Sequence, residues 1–255
     1  MNAILEHFQH LGLSWVHGIE TYPSLPSTNA FARTRIAAGC APGTVIRARQ
    51  QTAGRGRQGR HWLGHKGSLT FSTIWPLQWR IPEALPLVIG VGAAAALARW
   101  VPDIRVKWPN DLWVGDRKVA GMLGETFLAT DERWLIFGMG INVNGHFPLQ
   151  EEGNQAASLA ECCGTELPLE TVFLHVLQHM DSILTQYAAG QGSLQKDLER
   201  WGNFLHRLVE VRGSQERFCG RAVGVRSDGA LLVETGQGIT AVHAGDVSLR
   251  PATSP

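Results

Sequence analysis

Two segments rich in β-formers, residues 44–51 and 68–75, enclose a stretch in which glycine recurs every second or third residue with arginine between. TVIRARQQ alternates apolar and polar side chains, and SLTFSTIW is dense in branched and aromatic residues, so both read as strands. The intervening TAGRGRQGRHWLGHKG has no helical period. Glycine lets a backbone approach a ligand and adopt positive φ, and arginine donates forked hydrogen bonds to phosphate or carboxylate. The chain must therefore build a sheet whose strand-to-strand connection presents a basic, glycine-rich loop. Such a loop buries little and its charges repel, so it is expected to order on binding an anion.

The charge pattern extends that expectation. Residues 21–82 contain no Asp or Glu, yet Arg33, Arg35, Arg47, Arg49, Arg55, Arg57, Arg60, Lys66 and Arg80 all fall there. This reads as an anion-binding region in the first third of the chain. The whole-chain net charge of +1 conceals it and points to no polyanionic partner.

Around this segment the two periods alternate. Ser27 and Thr28 suit an N-cap for a helix through Ala38, stopped by Gly39. A buried helix is expected over 83–101, then strands joined by turns at Pro109–Asn110 and Gly115–Asp116, and another strand over 134–144. This is an α+β pattern, a mixed sheet with flanking helices. Beyond Asn154 apolar residues recur at helical spacing, and from about Arg207 five short strands between glycine turns fit a small SH3-like β-barrel. The boundary is put near 204–207, giving domains 1–204 and 205–255. With 44% hydrophobic and 18% charged residues, disorder and coiled coil are excluded. The four cysteines include no CxxC pair, the N-terminus lacks a cationic signal-peptide start, and the apolar run 85–97 is too short to span a bilayer. A soluble, cytoplasmic protein is expected, with no membrane partner.

Four segments carry chemistry. The GxGxxG formed by Gly54, Gly56 and Gly59 is rejected as a dinucleotide fingerprint, because no helix starts at the glycines, and no Gly-Lys-Ser/Thr makes it a Walker loop. Lys107-Trp108-Pro109-Asn110-Asp111 puts a cation, an amide and a carboxylate at a strand end, a set able to meet a Mg²⁺-bound nucleotide. In Lys118-Val119-Ala120-Gly121-Met122-Leu123-Gly124-Glu125, alternation is expected to send Lys118, Ala120 and Met122 to one face, where an ammonium requires a partner. Gly138 and Gly140, followed by Asn142, mark a strand that something approaches closely. No HExxH, GxSxG or other nucleophile stands out, which suits catalysis by positioning and charge neutralisation.

Together, in order and spacing, Ser27-Thr28-Asn29, QQTAGRGRQGRHW, KWPNDL, RKVAGMLGE and GMGINVN resemble the biotin–protein ligase family, or biotin–[acetyl-CoA-carboxylase] ligases. The resemblance spans nearly the whole chain, including the ending in Ser248-Leu249-Arg250. It implies that biotin and Mg-ATP give biotinyl-5′-AMP and pyrophosphate, after which a lysine of a biotin carboxyl carrier protein takes the biotin. ATP, Mg²⁺ and biotin are then substrates, with no tightly bound prosthetic group. Biotin-binding positions implied by the resemblance are Ser27, Thr28, Asn29, Gln51, Arg55, Gly56, Arg57, Lys118, Gly121, Leu123 and Gly138. Nucleotide-binding positions are Arg57, Arg60, Trp62, Lys107, Asn110, Asp111, Gly140 and Asn142, with Mg²⁺ near Asp111 and the catalytic roles on Arg57, Lys118, Lys107 and Asp111.

The sequence departs from the family at Gln58, where many relatives carry arginine, and at Gly124, where a larger residue is common. The residues before Ser27 are too few for the helix-turn-helix of repressing relatives, so a ligase without repressor function or DNA partner is expected. Relatives occur as monomers and as homodimers, and both states stay open. Two other readings also stay open: lipoate or octanoate ligase chemistry on the same fold, and a nucleic-acid binder that uses the basic region.

Overall fold

In a computed structural model of the chain, residues 11–62, 64–79, 83–129, 131–147, 156–212, 217–243 and 246–249 are described. Arg80 and Arg250 lie outside them. The main sheet has seven strands: β1 (Gly18–Tyr22), β2 (Thr44–Ala48), β5 (Ser68–Pro76), β6 (Ile104–Lys107), β7 (Asp111–Val114), β8 (Arg117–Ala129) and β9 (Glu132–Asn142). Two short strands, β3 (Gly54–Arg55) and β4 (His61–Trp62), pair within the glycine-rich loop. The sheet order is β1-β2-β5-β9-β8-β7-β6, parallel at β1–β2 and antiparallel elsewhere, the mixed sheet expected from the sequence.

Period-two alternation in β5 and β9 assigns the two faces of this sheet. Leu69, Phe71 and Trp75, with Phe137, Met139 and Ile141, point into the main core shared with helices α2 (Leu85–Leu97) and α4 (Leu169–Ala188). α2 is apolar on nearly every side and accordingly almost wholly buried. Ser72, Gly138 and Gly140 occupy the opposite face, where helix α1 (Thr28–Ala37) and the loop cover them. α1 begins as the capping signal predicts: Ser27 Oγ accepts from the Ala30 amide at 3.4 Å, and Gly39 follows at φ +77°. Ala32 and Ile36 close a second, smaller core against Ile46, Ile74 and Ile136.

Helices α3 (Leu159–Cys163) and α5 (Leu194–Trp201) lead to an antiparallel sheet of β10 (Leu208–Arg212), β11 (Arg217–Val225), β12 (Leu231–Thr235), β13 (Gly238–Val242) and β14 (Asp246–Leu249), ordered β13-β12-β11-β10-β14. Its inward residues Val209, Val211, Ala222 and Leu231 join the same core as Leu198 and Phe204. Among the described residues no helix is long and apolar enough to cross a membrane.

The acid-free segment does not act as one anion-binding surface. Arg35 pairs with Glu20 at 2.7 Å and Arg33 with Glu125 at 2.8 Å. Arg47, on the opposite face of the sheet, pairs with Glu170 of α4 and lies over the Phe173 ring. Acids outside the acid-free run neutralise these three, so the basic surface narrows to the loop and the neighbouring exposed Arg49.

Candidate functional site

The site face of the sheet has a polar end and a cationic end. At the polar end, the first turn of α1 meets β5, β8 and the start of the loop. Thr28 donates to Gln51 Oε1 from its amide at 2.7 Å, and its hydroxyl stands 3.1 Å from the same oxygen. Ser72 Oγ lies 2.7 Å from Thr28 Oγ1 and 2.6 Å from Asn29 Oδ1. Asn29 Nδ2 donates to Glu125 Oε2 at 2.7 Å and to the Leu123 carbonyl at 3.4 Å. Ser27, Thr28, Asn29 and Ser72 are all buried, so a chain of polar groups in mutual contact is held away from water.

At the cationic end, Lys118 Nζ lies 2.7 Å from Asp111 Oδ1 and 5.9 Å from the centre of the Trp62 ring. Its neighbours are not those that alternation predicts. The β7–β8 register slips between Leu112 and Trp113, so that Leu112 pairs with Ala120 and Trp113 with Lys118. This bulge inverts the facing: Ala120 and Met122 join the main core, while Lys118 shares the site face with Gly121. The ammonium gains its carboxylate partner without entering the apolar layer.

Arg57 donates to Asn110 Oδ1 at 3.2 Å, and Asn110 is fixed in turn by the Met122 carbonyl at 2.5 Å. Lys107 sits opposite Asp111 in the ladder, its Nζ 3.5 Å from the Trp113 ring centre. Asn142 donates to the Ala157 carbonyl at 3.1 Å, while its Oδ1 and Trp62 Nε1 are buried without a hydrogen-bond partner. Two unanswered polar atoms within one cleft suit a ligand carrying both a donor and an acceptor. Arg55 and Arg60 remain on the exposed side of the loop, Arg60 donating to Gln58 at 3.1 Å. Beside Asn142, burial pushes the Glu161 carboxyl up, but amide donors Ser158 and Phe147 and the Arg117 charge outweigh it and hold the group below its usual range.

The glycines make room for protein side chains. A Cβ at Gly138 would stand 2.3 Å from Asn29 Oδ1, at Gly140 2.4 Å from the Trp62 ring, and at Gly121 3.1 Å from Lys118 Nζ. Gly124 is different, since a Cβ there would meet only ordinary contacts at 3.8 Å. Two features were missed by reading the sequence. Ser72 is one, although the Ser68–Thr70–Ser72 alternation within an apolar strand signals a polar face. The other is the Trp108 indole, which donates to the Gly229 carbonyl at 2.9 Å and ties the 107–111 turn to the C-terminal sheet. Trp108→Phe removes that donor and, because the indole is buried in the main core, also leaves a cavity where one of its two rings stood. Expected is a stability loss of about 2–3 kcal/mol, read as a lower denaturant midpoint, with a raised KM for ATP.

Fold and site define an acyl-activating ligase class. The model of the Biotin/lipoate A/B protein ligase family matches residues 22–142, and that of the biotin protein ligase C terminal domain matches residues 207–250. The bifunctional ligase/repressor BirA of Escherichia coli is 33% identical over 92% of this chain and 74% of its own length. A biotin–[acetyl-CoA-carboxylase] ligase of Mycobacterium tuberculosis is 27% identical over 87% of this chain and 85% of its own. The solved Aquifex aeolicus biotin protein ligase in complex with biotin and ATP has a TM-score of 0.77 at 30% identity, covering 92% of this chain and 99% of that one. The chain belongs to the biotin protein ligase family.

Proposed function

We propose that the protein activates biotin with ATP and transfers it to a lysine of a carboxylase's biotin carrier domain. One observation carries this reading: on a single sheet face, the polar chain of Thr28, Asn29, Gln51 and Ser72 and the cations Lys118 and Arg57 stand at opposite ends. Gly138 under Asn29 and Gly140 under Trp62 are two residues apart, about 7 Å along a strand. A ligand with a hydrogen-bonding ring, an apolar chain and a terminal carboxylate matches that order.

In the first half-reaction the biotin carboxylate attacks the α-phosphorus of ATP, and the bond to the pyrophosphate oxygen breaks. Arg57 and Lys118 lower the repulsion between the two anions and stabilise charge growing on the phosphoryl oxygens. Asp111 holds the Lys118 ammonium in place, and Asn110 orients Arg57. In the second, the carrier lysine amine attacks the acyl carbon and AMP leaves. Trp62 and Asn142 accommodate the adenine, and Lys107 faces the phosphates. Asp111 is the carboxylate of the site that would face a Mg²⁺ ion carried on the ATP phosphates, where the ion would offset phosphate charge.

Lipoate or octanoate is not favoured, because a dithiolane or alkyl chain offers nothing to the buried polar chain, and unanswered polar groups cost about 1–3 kcal/mol each. We assign residues 1–204 to catalysis and 205–255 to the C-terminal domain, and place the reaction in the cytoplasm, where ATP is supplied and the free cysteines stay reduced. The test is calorimetric titration with biotin and then ATP-Mg²⁺, following pyrophosphate in the same sample. Biotin binding, with pyrophosphate released only when both are present, is expected. Turnover with lipoate and no heat from biotin would overturn the substrate assignment.

A further inference from the structure

The polar end of the site is a chain of oxygens with fewer protons than contacts. Asn29 Oδ1, Ser72 Oγ, Thr28 Oγ1 and Gln51 Oε1 follow one another at 2.6, 2.7 and 3.1 Å. Both amide oxygens only accept, so two hydroxyl protons serve three contacts. The Asn29 end decides which contact goes without. Glu125 Oε2 and the Leu123 carbonyl are acceptors, so the Asn29 amide nitrogen must face them and its oxygen must face Ser72. Ser72 Oγ is within donating distance of both Asn29 Oδ1 and Thr28 Oγ1 but has one proton. Once that proton serves Asn29, the 2.7 Å contact can be bridged only by the Thr28 proton, and we assign it there as the shorter of the two contacts open to Thr28.

With the Thr28 proton assigned to Ser72, the longer 3.1 Å contact, across which the Thr28 hydroxyl could otherwise donate to Gln51 Oε1, has no proton of its own. Gln51 cannot repair it by turning its amide, since Oε1 already accepts from the Thr28 backbone N–H at 2.7 Å. Two adjacent acceptors therefore remain, an arrangement that an N–H from a ligand completes. Glu125 is held from outside the chain by Arg33 at 2.8 Å on its other oxygen.

We propose that Glu125 is a positioning residue that fixes the donor–acceptor sense of this chain through Asn29 and Ser72, so that Thr28 Oγ1 offers a lone pair to a ligand N–H. The inference rests on the ligase reading, in which that N–H belongs to the ureido ring. Glu125→Gln is the informative substitution. Its amide can offer Asn29 an N–H, which lets the asparagine turn over and the chain reverse.

The experiment compares, by calorimetry, biotin with two analogues in which one or the other ureido N–H is replaced by oxygen. The unsubstituted protein is expected to prefer biotin to at least one analogue by about tenfold or more, as a buried acceptor loses its donor. In Glu125→Gln that preference is expected to shrink to within about threefold of unity, with the KM for ATP unchanged. Ser72→Ala, a smaller change, is expected to compress the same preference and carries the test if Glu125→Gln does not fold. A preference preserved in the substituted protein, whether or not all ligands weaken together, overturns the relay and leaves the ligase reading standing. No biotin binding by the unsubstituted protein overturns both.

Discussion

Arg57→Ala is expected to slow biotinyl-adenylate formation by roughly 30- to 1,000-fold, the equivalent of about 2–4 kcal/mol of transition-state stabilisation. Arg57 is half-buried, and Asn110 aims its guanidinium into the cleft at 3.2 Å while the Met122 carbonyl fixes Asn110. An oriented donor of this kind needs no reorganisation as charge develops. The same geometry says the fold should tolerate the loss, because Arg57 stands on a loop with one bond to an asparagine that keeps its other partner. Single-turnover pyrophosphate release measures the rate, and ligand-free melting reports the fold. The ligand-free stability should change by no more than about 0.5 kcal/mol. A rate within a few-fold of the unsubstituted protein would remove Arg57 from the transition state, and a large fall in melting temperature would make its role structural.

How far such residues could be read from sequence depends on whether their placement is local. The helix from Thr28, the glycine-rich loop and the strands of the main sheet were legible because caps, alternation and glycine spacing are local signals. The facing of Lys118 was not. A bulge adds one residue to β8 and inverts the alternation on which the prediction rested, and only the pairing with β7 reveals it. The acid-free run misled for a related reason. Arg47 and Glu170 lie far apart in sequence, and nothing before the fold indicates that a helix will bring one to the other. Ser72 and Glu125 were passed over because each matters through a neighbour, a property that appears only when four elements converge on Asn29.

Two glycines on one strand are expected to separate the two substrates. Gly138 pairs with Ser72 on one side and Leu123 on the other, and Gly140 with Thr70 and Gly121, so the backbone at both is clamped in the middle of the sheet. A methyl group at either position cannot be relieved by the strand, and the side chain above it must move. At Gly138 that side chain is Asn29, 2.3 Å from the added carbon, and its displacement breaks the bonds to both Ser72 and Glu125. Gly138→Ala is therefore expected to raise the KM for biotin by about two orders of magnitude, from overpacking and lost hydrogen bonds together. At Gly140 the displaced group is the Trp62 ring, at 2.4 Å. Gly140→Ala is expected to raise the KM for ATP by a comparable factor, about 100-fold, and to leave biotin affinity within about threefold. Measuring both constants for both variants decides the matter. If each substitution weakens both substrates equally, the alternation along β9 does not divide a biotin half from a nucleotide half, and the order assigned to the site along the sheet face is wrong.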